Sequence, residues 1–368
     1  MHEEQRQRAH DYLRSQGLSR ALFASRASVT WLTGFAPPVQ LGPHPFAGGP
    51  PLVYYAGGEW TLIVLDGYAG AAAASGIAVL SYLGYTIEGP LTGHEHLLAM
   101  LRAVISAGVG RVGLEEQALP VYLRAAFAPS TDFVPIDGAL APLRVIKTAE
   151  ELAKLRANFA LTDIGLATAR QVIRPGLREI DVWTAIHSAI QQAAGCRVPL
   201  GNDCTVGRRA HSGGWPLDVE IQPGDSFVVD LSTQLHGYSS DSCATYYAGE
   251  PSRKQVAMHQ TVQEALELAI SLVRPGPIAS AIDRQVRQFM LDAGYPIYSH
   301  HTGHAVGVTP HEEPRIVPYN DMPIAAGMVL MLEPGIYYPG ETAVRLEHAV
   351  LVQDNGVEVL TKHDTSLP

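Results

Sequence analysis

The chain has 368 residues, room for two ordinary domains with substantial cores, and its 46% hydrophobic and 17% charged content is that of a soluble globular protein. A formal net charge of -10 argues against sequence-independent nucleic-acid binding, which rests on phosphate neutralisation by Lys and Arg. Cys196, Cys204 and Cys243 show no CxxC spacing and cannot all pair, which points to a reducing compartment. The charged N-terminus is no signal peptide and no run of eighteen apolar residues occurs, so the expectation is a cytoplasmic protein without a membrane span.

In chain order, a helix is expected from Glu3 to Gln16, stopped by Gly17, followed by strands at Ala21 to Ala24 and Val29 to Leu32. A Pro/Gly/His-rich loop fills 36–51. Leu52 to Tyr55 and Trp60 to Leu65 flank Ala-Gly-Gly-Glu as a hairpin. Helices near 67–75, at His94 to Ser106 and at Val121 to Ala128 alternate with strands at Ile77 to Tyr82 and Arg111 to Glu115. That order predicts an α/β domain over 1–136, with a linker at 137–148 and a second domain over 149–368. No chemical motif stands out in the first domain. The second opens with a capping box, Thr148 and Glu151, before Leu152, Leu155, Phe159 and Leu166 at helical spacing.

Two stretches of the second domain carry acids at the ends of apolar runs. Met328 to Leu332 delivers Glu333, Pro339-Gly340 supplies a turn, and Val344 to Leu346 returns to Glu347. A hairpin centred on Gly340 sets Glu333 opposite Glu347, with Cβ atoms roughly 5 Å apart. Upstream, Gly-Asp-Ser-Phe-Val-Val leads to Asp230, and the chain returns past Gly237 to Asp241. A turn centred between Leu235 and His236 makes Asp230 face Asp241, while a bulge at Gly237 would shift that register. Val-Ile-Arg-Pro-Gly at 172–176 recurs as Leu-Val-Arg-Pro-Gly at 272–276, and His211 and His311 are likewise a hundred apart. The spacing predicts two versions of one helix-plus-hairpin unit, Arg174 to Ala248 and Arg274 to Val352, about an approximate twofold axis.

Paired carboxylates at such range repel unless a proton or cation lies between them. Four of them balance two divalent ions, and His304, set between glycines where backbone approaches closely, is the favoured imidazole. Mostly oxygen with one nitrogen suits Mn²⁺, Co²⁺, Fe²⁺ or Zn²⁺. Two such ions about 3.5–4 Å apart bridge a water and polarise a carbonyl, and the chemistry that fits is amide hydrolysis.

Asp230 with Asp241 eleven later, Gly-His-x-x-Gly with His311 seven beyond His304, His-Glu-x-Pro, Glu-Pro-Gly-x-Tyr-x-Pro-Gly and Val-Arg-Leu-Glu together resemble the pita-bread metallopeptidases, in their prolidase and aminopeptidase P branch. The amino half, from Arg20 to Phe35, and the segment Leu143 to Leu152 resemble that branch's N-terminal domain and linker helix. The resemblance implies a pita-bread catalytic domain with an internal pseudo-twofold repeat behind an N-terminal α/β domain. It implies that Asp230 and Glu347 bridge two metals, Mn²⁺ foremost, that Asp241 completes one shell, and that His304 and Glu333 complete the other. Glu333 would also act as general base, His211 and His311 would stabilise the tetrahedral intermediate, and Arg345 would orient His311 or a substrate carboxylate. The implied substrates are short Xaa-Pro peptides and the implied assembly is a homodimer.

The chain departs from that pattern at Ser232, at Ser242 to Thr245 with Ala244 in place of an Arg, at His348, and in the nineteen-residue step from His211 to Asp230. For Arg345 a structural ion pair competes with substrate contact. His300, His301 and His348 are expected as structural or supporting groups, and Tyr337 as packing. Hydrolysis of a non-peptide C–N bond in a small metabolite, or ligand binding without catalysis, are the alternatives.

Overall fold

The computed structural model describes residues 2–39, 44–105, 110–201 and 203–367. The chain divides into two compact units, Met1–Arg144 and Val145–Pro368. Part of the Pro/Gly/His-rich loop predicted over 36–51 lies outside the described residues, as does the last residue of the helix predicted to end at Ser106. No helix among the described residues is long and apolar enough to cross a membrane. The three cysteines are free thiols, Cys196 exposed and the other two buried.

The first unit is a six-stranded mixed sheet with helices around it. Its strand order is Ala78–Tyr82, Glu59–Leu65, Leu52–Ala56, Arg20–Phe23, Arg111–Leu114 and Asp132–Pro135. The predicted Leu52/Trp60 hairpin forms, with Tyr55 opposite Trp60. The strand expected at Val29 to Leu32 is instead inside a helix, Arg26–Thr33. Two β-branched residues read locally as strand, but the start of the helix is satisfied from outside. Ser25 Oγ accepts from Ser28 N, and the buried Glu115 accepts from the amides of Ala24 and Ser25 at 2.7 Å. An acid at a helix start takes up donors that have no partner within the helix, a tertiary contact that outweighs weak propensity. The helix expected at Val121 to Ala128 is a 3₁₀ helix, Val121–Ala126, ended by Phe127 in extended backbone.

In the second unit one order of elements occurs twice. Helices Ala149–Val172 and Glu179–Ala194 precede strands Cys204–Val206, Ser226–Asp230 and Cys243–Tyr247. Helices Arg253–Leu272 and Ala279–Asp292 precede strands Gly303–Ala305, Val329–Leu332 and His348–Val352. In both sets the three strands pair antiparallel with the second in the middle. Each set also has its own core, one around Leu166, Ile186, Phe227 and Val229, the other around Leu266, Ile282, Leu330 and Val350. Fully burying each such aliphatic side chain is worth about 1.5–3 kcal/mol. The Thr148/Glu151 capping box forms as predicted, and the Glu151 amide donates to Thr148 Oγ1 at 3.3 Å.

The two hairpins differ in register. In the second, Gly335 to Tyr338 pair with Arg345 to Thr342 around Gly340, and Leu332 pairs with His348, so the interrupted stretch between these ladders holds Glu333 against Glu347 as expected. In the first, the expected facing of Asp230 and Asp241 is not found. Leu235 pairs with Tyr238 and Asp230 pairs with Cys243, so the turn residues are His236 and Gly237. Both have positive φ, 55° and 77°, the backbone that a two-residue hairpin turn demands. The displacement is two residues, which is the side-chain period of a strand. Asp241 therefore remains on the face of Asp230, as a diagonal neighbour rather than a direct one.

Candidate metal centre

Asp230 ends the strand Ser226–Asp230, Glu333 follows the strand Val329–Leu332, and Glu347 immediately precedes the strand His348–Val352. His304 is carried in the middle of Gly303–Ala305, paired with Met331. Gly303 is required there by close approach, since a Cβ at that position would lie 2.0 Å from the Met331 carbonyl oxygen. All five sequence-predicted ligands are buried, with Glu347 only 1% exposed.

Their polar atoms converge. The ligand atoms of Asp241, His304 and Glu347 all lie within 4.8 Å of one another. His304 Nε2 is 3.5 Å from Glu333 Oε1 and 3.7 Å from Asp241 Oδ2. His304 Nδ1 lies 2.9 Å from the Ala305 carbonyl oxygen, which only accepts, so Nδ1 carries the proton and the Nε2 lone pair faces the acids. Burial, then His311 and His301, hold the His304 pKa well below that of a free imidazole. A lone pair aimed at carboxylates is the arrangement a cation resolves.

The carboxylates show the same deficit. Both oxygens of Glu347 are buried without a hydrogen-bond partner among the described residues. Burial first, then Asp241, Glu333 and Asp230, push the Glu347 pKa well above the usual carboxylate range. Burial and Asp230 push Asp241 up likewise. Glu333 is raised by burial, and His301, with Nε2 2.7 Å from Oε1, opposes that shift. Arg315 Nη2 donates to His301 Nδ1 at 3.1 Å, so His301 Nε2 carries a proton towards Glu333 Oε1. Uncompensated carboxylate oxygens around a free imidazole nitrogen fit a divalent cation with mixed oxygen and nitrogen ligands.

Among the described residues Arg345 makes no hydrogen bond to His311. Its Nη2 donates to Asp230 Oδ2 at 2.6 Å and to Asp203 Oδ2 at 2.7 Å, and its Nη1 donates to the Tyr337 hydroxyl at 3.1 Å. The ion-pair alternative is the arrangement found. His300 donates from Nδ1 to the His301 carbonyl at 2.8 Å, so its Nε2 accepts the Tyr337 hydroxyl at 2.9 Å, and burial holds its pKa down at about 3. Tyr337 is thus a link between Arg345 and His300 as well as a packing residue.

Asp230, Asp241 and Glu333 open into a cavity of about 320 Å³ that His311 and His304 also line. The rings of His304 and His311 are 4.2 Å apart. His211 is exposed and lines a neighbouring cavity of about 440 Å³, which also has His300, Tyr337 and Arg345 in its wall. Sequence reasoning missed Asp203 and Trp215, which line the first cavity, and took His301 as a supporting group. The ligating nitrogens of His301, His304 and His311 fall within 4.8 Å of one another. The run of imidazoles beside Gly303 was the available signal for His301. Asp203 had none, because its partner is 142 residues away.

Comparison with known proteins agrees in both units. Residues 153–354 match the pattern of metallopeptidase family M24, and residues 5–146 match the Creatinase/Prolidase N-terminal domain. The chain is 33% identical over 238 residues to an Xaa-Pro dipeptidase of Pyrococcus furiosus, covering 64% of this chain and 68% of the relative. An Xaa-Pro dipeptidase of Lactobacillus helveticus is 33% identical over 251 residues, 67% of this chain and 68% of the relative. The crystal structure of the prolidase from Pyrococcus horikoshii superposes with a TM-score of 0.85 at 25% identity, covering all of both chains. With the family pattern spanning more than half of its length and the carboxylate–imidazole cluster inside that span, the chain belongs to metallopeptidase family M24.

Proposed function

We propose that the protein hydrolyses the Xaa-Pro bond at the amino end of short peptides, using two divalent cations, with Mn²⁺ the first choice. The observation that carries this reading is the buried cluster itself, in which Glu347 has two unpartnered oxygens and His304 turns its lone pair towards Asp241 and Glu333. The relatives named Xaa-Pro dipeptidase supply the substrate class.

Asp230, Asp241, His304, Glu333 and Glu347 would hold the ions, which when bound supply Lewis-acid polarisation of the scissile carbonyl and a nucleophile at neutral pH. Glu333, whose environment raises its pKa, is suited to take a proton at its carboxylate and deliver it to the departing proline nitrogen. His311, exposed at the cavity wall and with its pKa lowered by desolvation and His301, is placed to donate to charge developing on the carbonyl oxygen. His211 would reach the substrate from the neighbouring cavity. Arg345 holds Asp230 in orientation through its Nη2, a positioning role that leaves its two Nη atoms occupied.

The test strips the protein with chelator, adds Mn²⁺, Co²⁺ or Zn²⁺ separately, and follows cleavage of Ala-Pro beside Ala-Pro-Ala. Restored cleavage, highest with Mn²⁺, is the expected outcome, and the ratio of the two substrates separates a dipeptidase from an aminopeptidase. Metal binding without cleavage of either peptide would move the substrate to a non-peptide C–N bond. Failure to bind metal would overturn the whole reading.

A further inference from the structure

Among the residues lining the 320 Å³ cavity, Trp215 is the one with no ionisable group. The others named above are acids, imidazoles and a guanidinium. Trp215 is also 71% exposed, whereas Asp230, Asp241 and Glu333 in the same lining are buried. Its place is built into the site. The Gly214 amide donates to Asp203 Oδ1 at 2.6 Å, and the Gly214 carbonyl accepts from the Cys204 amide at 2.8 Å. Asp203 Oδ2 accepts from Arg345 Nη2, which also holds Asp230. The backbone next to the indole is therefore tied through Asp203 and Arg345 to a proposed metal ligand.

The scissile bond has to reach the buried cluster, so a residue that extends the peptide back out of the cavity meets its exposed rim, where the indole is. A pyrrolidine ring presents a compact apolar face with polarised C–H groups, which suits the negative face of an indole. We propose that Trp215 is a specificity-determining platform on which the ring of the second residue stacks, so that the enzyme selects proline by its ring as well as by its tertiary amide. This rests on the Xaa-Pro reading and names the residue that would read the second position.

The experiment compares Ala-Pro with Ala-N-methylalanine, which keeps the tertiary amide and lacks the ring, as competing substrates or inhibitors of the metal-loaded full chain. For Trp215→Ala, kcat/KM for Ala-Pro is expected to fall about tenfold, mainly through KM, with a fall of less than about twofold for the ringless peptide, and Trp215→Phe should recover most of the loss. Equal loss on both peptides, or no change in their ratio, overturns the platform, because a merely structural role lowers both together. If the wild type cleaves neither peptide, the Xaa-Pro reading falls by itself. The platform is then judged by tryptophan emission: quenching by L-proline but not L-alanine, lost in Trp215→Phe, sustains it, and unchanged emission overturns it.

Discussion

Asp230 and Glu333 occupy corresponding places, each at the end of the middle strand of its three, yet they meet different partners. Asp230 has a guanidinium at 2.6 Å, a charge that does not titrate in the working range, with Asp203 sharing the same Nη2. Glu333 has imidazoles, His301 at 2.7 Å and His304 at 3.5 Å, which carry charge only when protonated. Asp241 and Glu347 also correspond, one ahead of each last strand, and both are pushed towards the protonated form by burial and neighbouring acids. The difference teaches that one carboxylate in the first half is neutralised by the protein, while those of the second half depend on protons or cations from outside.

Removing the charge of Glu333 should have the largest effect. Glu333→Gln keeps the shape and loses the base, so kcat should fall by about 10²–10⁴-fold with the fold retained, as read by steady-state kinetics beside circular dichroism. Retained turnover would defeat the assignment. The matching change in the first half is Arg345→Met, which strands Asp230 and Asp203 without their shared cation. Leaving a buried charge unpaired costs about 3–5 kcal/mol, and urea unfolding of the metal-free protein should report it. A cost below about 1 kcal/mol would mean that Asp230 is not held in the way the geometry indicates.

Glu347→Gln should act in the opposite sense on the metal-free protein. Folding raises the pKa values of Asp241, Glu333 and Glu347, so above the ordinary carboxylate range the native state binds more protons than the unfolded chain. Stability then falls as pH rises, starting from about 4 and continuing until the folded values are passed. A neutral amide at 347 removes one of these contributions. The chelated variant should therefore lose less Tm than chelated wild type between about pH 5 and pH 8. Added Mn²⁺ should raise the Tm of wild type and raise that of the variant much less. An equal pH slope in both proteins would place the buried charge elsewhere.

The second half was more legible in the sequence than the first, and the reason is turn chemistry. Pro339-Gly340 announces a turn, and the register of Glu333 against Glu347 follows from its position. His236 sits at φ 55°, a conformation that histidine does not advertise, so the first turn was placed one residue too early and the pairing displaced by two. The acids still converged because a displacement of two preserves the face. Asp230, Glu333 and Glu347 were readable because each lies at the end of an apolar run, Asp241 because the first hairpin returns to it, and His304 because glycines flank it. Asp203, Trp215 and the contact of His301 with Glu333 were not, since their roles come from chain segments brought together only by the fold. The helix at Arg26–Thr33 was misread for the same reason, its start being held by Glu115 from about ninety residues away.

The smallest expected effect sharpens the contrast between the turns. His236 is exposed, its side chain has no hydrogen bond among the described residues, and its backbone is left-handed. A non-glycine residue in that region carries a penalty of about 1–2 kcal/mol, which asparagine partly escapes through local hydrogen bonding. His236→Asn converts the turn to Asn-Gly, the pair that a two-residue hairpin favours, without touching the metal cluster. It should stabilise the protein by on the order of 0.5 kcal/mol, a fraction of that penalty, with kcat/KM unchanged. Destabilisation would show that the imidazole at 236 holds the turn by a contact of its own. A change in kcat/KM would show that the register of this hairpin, and with it the diagonal placement of Asp230 and Asp241, is set at the turn rather than by the strands that follow it.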